Sequence, residues 1–310
     1  MILSRLIPLA AFLGLGALLR WRSLLSVSTV DQLKWIIVHV LLPGVLFKTF
    51  LIAHLEPALA AVAGAVFGAN VIMYGLGFLL GRGLRQGARY APFLTSGMEY
   101  GMLGLALFAS LYGMAKVEYI AVVDLGHEFF FWFLFIPVFS AREAGSHGFP
   151  LKGILTSPIN LSIVAGLVLN LAGASGALTF NPAGQGVLAL CDMMGAAIGP
   201  LILIVIGHSL RFERAAGRDV LFTCLARLAL AAGCAYLVGN VLVRDLLGWP
   251  TGYTVAVWVL FLASPSFSVP VFARPRDPGE QSYITSTIAV YTLITFAAAF
   301  VILGLQPTLG

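Results

Sequence analysis

Ser96-Gly97-Met98-Glu99-Tyr100-Gly101-Met102-Leu103-Gly104-Leu105-Ala106 is the stretch on which the reading of this chain turns. It places a carboxylate, an aromatic ring and three glycines inside an otherwise apolar run at 91–113. Glycine weakens a helix interior, and an ionisable group deep in a bilayer is costly enough to mark function. A second interruption lies in the other half of the chain, at Ala263-Ser264-Pro265-Ser266-Phe267-Ser268-Val269-Pro270. Two broken apolar segments at matching positions of two halves point to the binding site of a secondary transporter.

The composition agrees with a membrane location. The 310 residues are 60% hydrophobic and 10% charged, against roughly 45–50% and about 25% in soluble domains; mean hydropathy is +0.98. The apolar runs are long and continuous, so they predict helices rather than the short alternating strands of a barrel. Cys191, Cys224 and Cys234 all fall in apolar runs and are expected to be reduced and buried. The net charge of +5 sits in short loops, where it reports topology and not nucleic-acid binding.

Runs long enough to cross a hydrocarbon layer of about 30 Å, roughly 20 residues each, number ten: 3–19, 33–53, 57–80, 91–113, 117–140, 153–172, 185–210, 219–243, 251–273 and 282–305. The first is read as a helix and not a signal peptide, because no convincing cleavage site precedes Arg20-Trp21-Arg22. Residues 1–140 form one five-helix half, 141–152 a cytoplasmic connection and 153–310 a second half. Loops after the odd-numbered spans hold thirteen basic residues (Arg20, Arg22, Lys34, Arg82, Arg85, Arg89, Arg142, Lys152, Arg211, Arg214, Arg218, Arg274 and Arg276), and the opposite side holds Arg5, Lys116 and Arg244. That asymmetry places the odd loops in the cytoplasm and both termini outside. An odd number of helices per half makes the halves enter from opposite sides, the condition for an inverted repeat.

The chain resembles the auxin efflux carrier family, in particular its bacterial permease branch. The likeness rests on Leu41-Leu42-Pro43-Gly44-Val45-Leu46-Phe47, on Gly101-Met102-Leu103-Gly104-Leu105 with Leu111-Tyr112-Gly113, and on Ser157-Pro158-Ile159-Asn160. Gly199-Pro200-Leu201, Gly207-His208-Ser209-Leu210, Ala263-Ser264-Pro265 and Ser286-Thr287 complete it, in the same order along nearly the whole sequence. The resemblance implies an all-α membrane protein of ten transmembrane helices, two inverted five-helix repeats with crossed broken helices 4 and 9. It also implies transport of organic anions, often carboxylates, in a bacterial inner membrane, and it suggests a homodimer. The sequence departs from the family at Glu99, where Asn is usual, and at Ala106, where Pro is usual. The Glu-x-Gly-Met pattern is also similar to a broken helix of the bile acid:sodium symporter family, of related architecture, in which the Glu helps coordinate sodium.

Glu99 is the sharpest candidate: in the break it would bind a proton or sodium close to substrate, the alternative being a structural Glu that ties down loose backbone. Gly97, Gly101 and Gly104 would permit a backbone turn and close crossing. Pro265 breaks the ninth span, and Ser264, Ser266 and Ser268 would satisfy freed groups or touch a ligand; Pro270 argues against a single kink. Asp124, His127 and Glu128 share one helix face and would relay protons or line an outer vestibule. Arg227, roughly 13 Å inside its span, is expected to pair with a carboxylate, with Asp192 as its structural partner, the alternative being that it snorkels. Lys48 is expected to snorkel or else to attract an anion, His39 and His208 to be satisfied core histidines, and the aromatic run 129–135 to face lipid or pack. No phosphate loop, metal-ligand spacing or activated nucleophile stands out, so no enzyme or cofactor is expected.

Together these readings predict alternating-access transport of a small organic anion. Substrate would lie against Glu99, Tyr100, Gly101, Gly104, Ser264, Pro265 and Ser266, with Pro43 on a scaffold side. A carboxylate beside Glu99 is repelled unless Glu99 is protonated or holds a cation, so ion coupling by proton, or else sodium, is expected, with Asp124, His127 and Glu128 as further ion-coupling groups. A sodium-coupled carrier like the bile acid symporters, or a cation/proton antiporter with no organic substrate, is the alternative.

Overall fold

Backbone groups in lipid must find partners within the protein, and the computed structural model meets that demand with helices. It describes residues 2–52, 57–85, 87–113, 116–145, 156–209, 217–306 and 308–309. Helix α1 spans Ile2–Trp21. Helix α2, Val27–Ile36, opens at Ser26, whose hydroxyl accepts the Thr29 N–H at 3.1 Å. It widens into a π turn at Ile37–Leu41 and runs on as α3, Leu42–Ile52. Pro43 falls in the first turn after the π segment, where the helix resumes.

Helix α4 is Pro57–Gly81, and a short α5 covers Ala91–Thr95. After an irregular stretch and a π turn at Tyr100–Gly104 comes α6, Leu105–Tyr112. Helix α7, Val117–Phe130, passes through the π turn Phe131–Phe135 into α8, Ile136–Glu143. In the second half follow α9 (Pro158–Leu171), α10 (Ala174–Phe180), α11 (Pro182–Ser209) and α12 (Gly217–Ala235), the last continued by a π segment, Tyr236–Leu246. Helices α13 (Thr251–Phe261), α14 (Ser268–Phe272) and α15 (Pro278–Leu305) complete the chain. Asp277 caps α15 by accepting the Glu280 N–H at 2.9 Å.

Among the described residues, six helices are long and apolar enough to cross a membrane: Ser28–Ile52, Ala58–Gly81, Val117–Glu143, Pro182–Val205, Gly217–Leu246 and Pro278–Leu305. A seventh is added if α9 and α10, bent by 95°, count as one span. Ten runs are legible in the sequence, but 91–113 and 251–273 are interrupted in the structure, as their glycine, proline and serine content predicts. Most of the expected connection at 141–152, and Arg211 and Arg214, lie outside the described residues.

Two compact units form, and each draws on both halves of the sequence: Met1–Arg5 with Glu56–Phe149 and Leu210–Gly310, and Leu6–Leu55 with Pro150–Ser209. The smaller unit pairs α3 closely with α9. A Cβ at Gly166 would fall 2.5 Å from the Phe47 carbonyl oxygen, and Asn170 donates to the Phe50 carbonyl at 2.9 Å. Lys48 of α3 forms an ion pair with Asp192 of α11. His208 is a satisfied core histidine, buried with its Nε2 3.1 Å from the Leu25 carbonyl. His39 departs from expectation: it is exposed and stacks on Trp35 at 4.8 Å.

The larger unit has an aromatic interior. Phe130, Phe131 and Phe135 are buried with Phe93 and Phe139, and the Phe93 and Phe139 rings lie 4.6 Å apart. The 129–135 run therefore packs inward on this face. Near one end of the unit, Glu143 accepts from Arg89, from the Tyr90 hydroxyl at 3.3 Å and from the Arg274 N–H, tying three segments together. Helices α4 and α7 touch backbone to backbone: a Cβ at Gly126 would sit 2.0 Å from the Ala63 carbonyl oxygen. Gly126→Ala is accordingly expected to destabilise the protein by about 1–3 kcal/mol, the usual range for overpacking. Gly64→Ala, where nothing lies within 4 Å, is expected to melt no lower than the parent. Thermal unfolding of both variants in detergent checks the difference.

Candidate ion and substrate site at the helix crossing

Helix α5 ends because Ser96 turns extended (φ −110°, ψ 179°) and Gly97 follows in the left-handed region at φ +63°. A Cβ there would be strained and would meet the Phe135 ring at 2.8 Å. Of the three glycines expected to turn the backbone, Gly97 alone does so. Gly101 and Gly104 lie in the following π turn, Gly104 with an ordinary helical φ of −61°. The second break runs from the end of α13 to the start of α14, and the two breaks meet: Met98 and Pro265 form an antiparallel bridge. Glu99 N–H donates to the Ser264 carbonyl at 2.8 Å. Proline fits the bridge because the partner strand asks it for no N–H. Pro270 sits in the first turn of α14, where a missing N–H costs nothing.

Broken helices leave orphan backbone groups, and several of these find partners at the crossing. The carbonyls of residues 262, 263 and 264 accept from the Thr295 hydroxyl at 3.0 Å, from Arg227 Nη2 at 3.0 Å and from the Glu99 N–H. Arg227 also donates from Nη1 to the carbonyls of Leu94 and Ser96, at 3.0 and 3.1 Å, and from Nη2 to that of Gly97 at 3.2 Å. One guanidinium thus holds four carbonyls from the ends of two interrupted helices. It is fully buried and lies 4.9 Å from the centre of the Tyr291 ring. On the donor side, Met98 N–H donates to His127 Nε2 at 3.0 Å, Phe267 N–H to Glu99 Oε2 at 2.6 Å, and Ser268 N–H to Ser266 Oγ at 3.2 Å.

These contacts fix the chemistry of the nearby groups. His127 Nε2 accepts an N–H and so carries no proton. Its Nδ1 therefore donates to Asp124 Oδ1 at 2.9 Å, and the ring is neutral. Glu128 accepts the Trp132 indole N–H at 2.6 Å. Asp124, His127 and Glu128 are all buried, with one polar atom of each within 4.8 Å of the others. The three residues are buried, and the histidine reaches the break.

Several expected residues take different roles. Asp192 and Arg227 are not a charge pair: each finds its partners inside its own unit, Asp192 in Lys48 and Arg227 in backbone carbonyls. Lys48 accordingly does more than snorkel. Uncapped carbonyl ends carry partial negative charge, so they attract a guanidinium as a carboxylate would. Ser264 and Ser266 are buried and bonded internally. Thr292 gives its proton to the Ile288 carbonyl at 2.7 Å, so Ser264 donates to Thr292 at 3.0 Å. Tyr100 and Gly104 are buried too, while Gly101, Phe267 and Ser268 are half-buried. Pro43 belongs to the other compact unit. Residues not anticipated from sequence are Thr292, Thr295, Trp132 and the Phe267 amide. The two threonines, three residues apart in an apolar span, carried a readable signal; the amide carried none.

The chain matches no family model, and no curated protein matches it.

Glu99→Gln keeps an acceptor for the Phe267 N–H but loses the charge, so it is expected to cost less than Glu99→Ala. The alanine leaves the half-buried Phe267 N–H without that acceptor, at a cost of up to about 1–3 kcal/mol. Melting curves of the two variants at neutral pH check the order.

Proposed function

We propose that the protein is a secondary transporter of a small organic anion, a carboxylate, working by alternating access with ion coupling at Glu99. The observation that carries this reading is a buried carboxylate at a hydrogen-bonded crossing of two interrupted apolar helices, Glu99 held between Ser264 and Phe267. Soluble cores rarely leave apolar helices broken and bridged in this way, whereas carriers use such breaks to present backbone groups to solutes. Counting α1, the bent pair α9–α10 and the interrupted runs 91–113 and 251–273 beside the six long helices gives ten spans, the number that the resemblance to the auxin efflux carriers implies. The division into two units that each draw on both halves supports a moving bundle and a scaffold. On this reading the larger unit is the bundle, and Pro43 belongs to the scaffold.

Within the bundle, the half-buried Gly101, Phe267 and Ser268 mark the side from which substrate approaches, with Glu99 behind them. An anion entering there is repelled by ionised Glu99, so binding requires Glu99 to take up a proton or a cation first. That requirement is the coupling. Asp124, His127 and Glu128 offer a second place for a proton, linked to the break through the Met98 N–H. The same cluster favours, as the second reading, a cation/proton antiporter with no organic substrate.

Purified protein in liposomes, challenged with small carboxylates at two pH values with and without sodium, separates the readings. Carboxylate-evoked current or uptake that follows one ion, and loses that dependence in Glu99→Gln, is the expected result. A proton or sodium response without substrate, abolished by the same substitution, replaces symport by antiport.

A further inference from the structure

Convergent carbonyl oxygens in apolar surroundings bind cations by replacing their hydration shell, and the C-terminal ends of broken helices supply such oxygens. At this crossing four of them, from Leu94, Ser96, Gly97 and Ala263, face one another across the two breaks. All four are bonded at 3.0–3.2 Å to a single fully buried guanidinium. We infer that Arg227 is the resident cation of the crossing, a tethered charge held where an exchangeable one would otherwise sit, and that sodium does not bind there.

The geometry suits arginine in particular. Its two terminal nitrogens each serve two carbonyls, which the planar fork allows and a point-like ammonium does not. Its charge is permanent, because guanidinium keeps its proton in proteins. The crossing therefore carries a fixed positive charge on the carbonyl side and the Glu99 carboxylate on the amide side, against the Phe267 N–H. The consequence for transport rests on the carrier reading above: coupling falls to the protonatable groups, Glu99 and the Asp124–His127–Glu128 cluster. An arginine that served only as packing would destabilise when removed, but free guanidinium would not take its place.

Melting of purified protein in detergent tests this without reading transport, so its failure and that of the carboxylate reading are separable. Wild type and Arg227→Ala are compared in sodium, potassium, choline and guanidinium chlorides at equal ionic strength, far below denaturing concentration, with urea as the uncharged control. The wild-type midpoint is expected to be the same in sodium, potassium and choline. Arg227→Ala is expected to melt lower and to regain most of the loss with guanidinium but not with urea. Arg244→Ala, whose exposed side chain pairs with Asp245, is expected to show no such recovery. A sodium-selective rise of the wild-type midpoint, or an Arg227→Ala midpoint that guanidinium leaves unmoved or urea raises equally, overturns the inference. If the alanine variant does not fold, the wild-type sodium series decides by itself. Arg227→Lys, which keeps the charge but not the fork, then replaces it and is expected to melt below wild type.

Discussion

Four carbonyl oxygens on one buried guanidinium tie together the two interrupted helices of the larger unit. Interrupting a helix in an apolar environment strands donors and acceptors that water cannot reach, each worth several kcal/mol if left unmet. The protein interrupts two. It brings the ends to a common place, so that one side chain from a third helix, Arg227 of α12, satisfies four acceptors. The Glu99 N–H and Thr295 hydroxyl take the carbonyls on either side. The remaining features follow from that bargain: Gly97 supplies the left-handed turn that aims the carbonyls, and the bridge between Met98 and Pro265 keeps the two breaks in register.

The donor side is organised by the opposite charge. Glu99 accepts the Phe267 N–H where α14 begins, and His127 accepts the Met98 N–H while handing its own proton to Asp124. The two carboxylates and the imidazole are thereby wired to the same few backbone groups that form the crossing. Adding a proton to His127 Nε2 would remove the acceptor for Met98, and neutralising Glu99 would weaken the hold on Phe267. Each protonation event acts on the break itself, a direct physical route from an ion to the shape of a site.

Much of this was legible in the sequence. The helical class, the apolar spans and the two interruptions follow from composition and from glycine, proline and serine placed in apolar runs. The inward face of Asp124, His127 and Glu128 follows from their spacing. What misled was the habit of pairing charge with charge: Arg227 and Asp192 look like natural partners in a sequence poor in ions. The three glycines also look equivalent on paper, and only the backbone angles separate Gly97 from Gly101 and Gly104.

The sequence by itself determined that the chain is helical, apolar enough for a membrane, and broken at two matched places, because period, hydropathy and helix-breaking residues are local properties. Tertiary structure alone decided who answers the broken ends. Arg227 to carbonyls, Glu99 to the Phe267 amide and Lys48 to Asp192 are contacts between residues far apart in the chain. Backbone acceptors have no letter in the sequence. A carbonyl becomes a ligand for a cation only when a helix ends there and another segment comes close, and that is settled by packing.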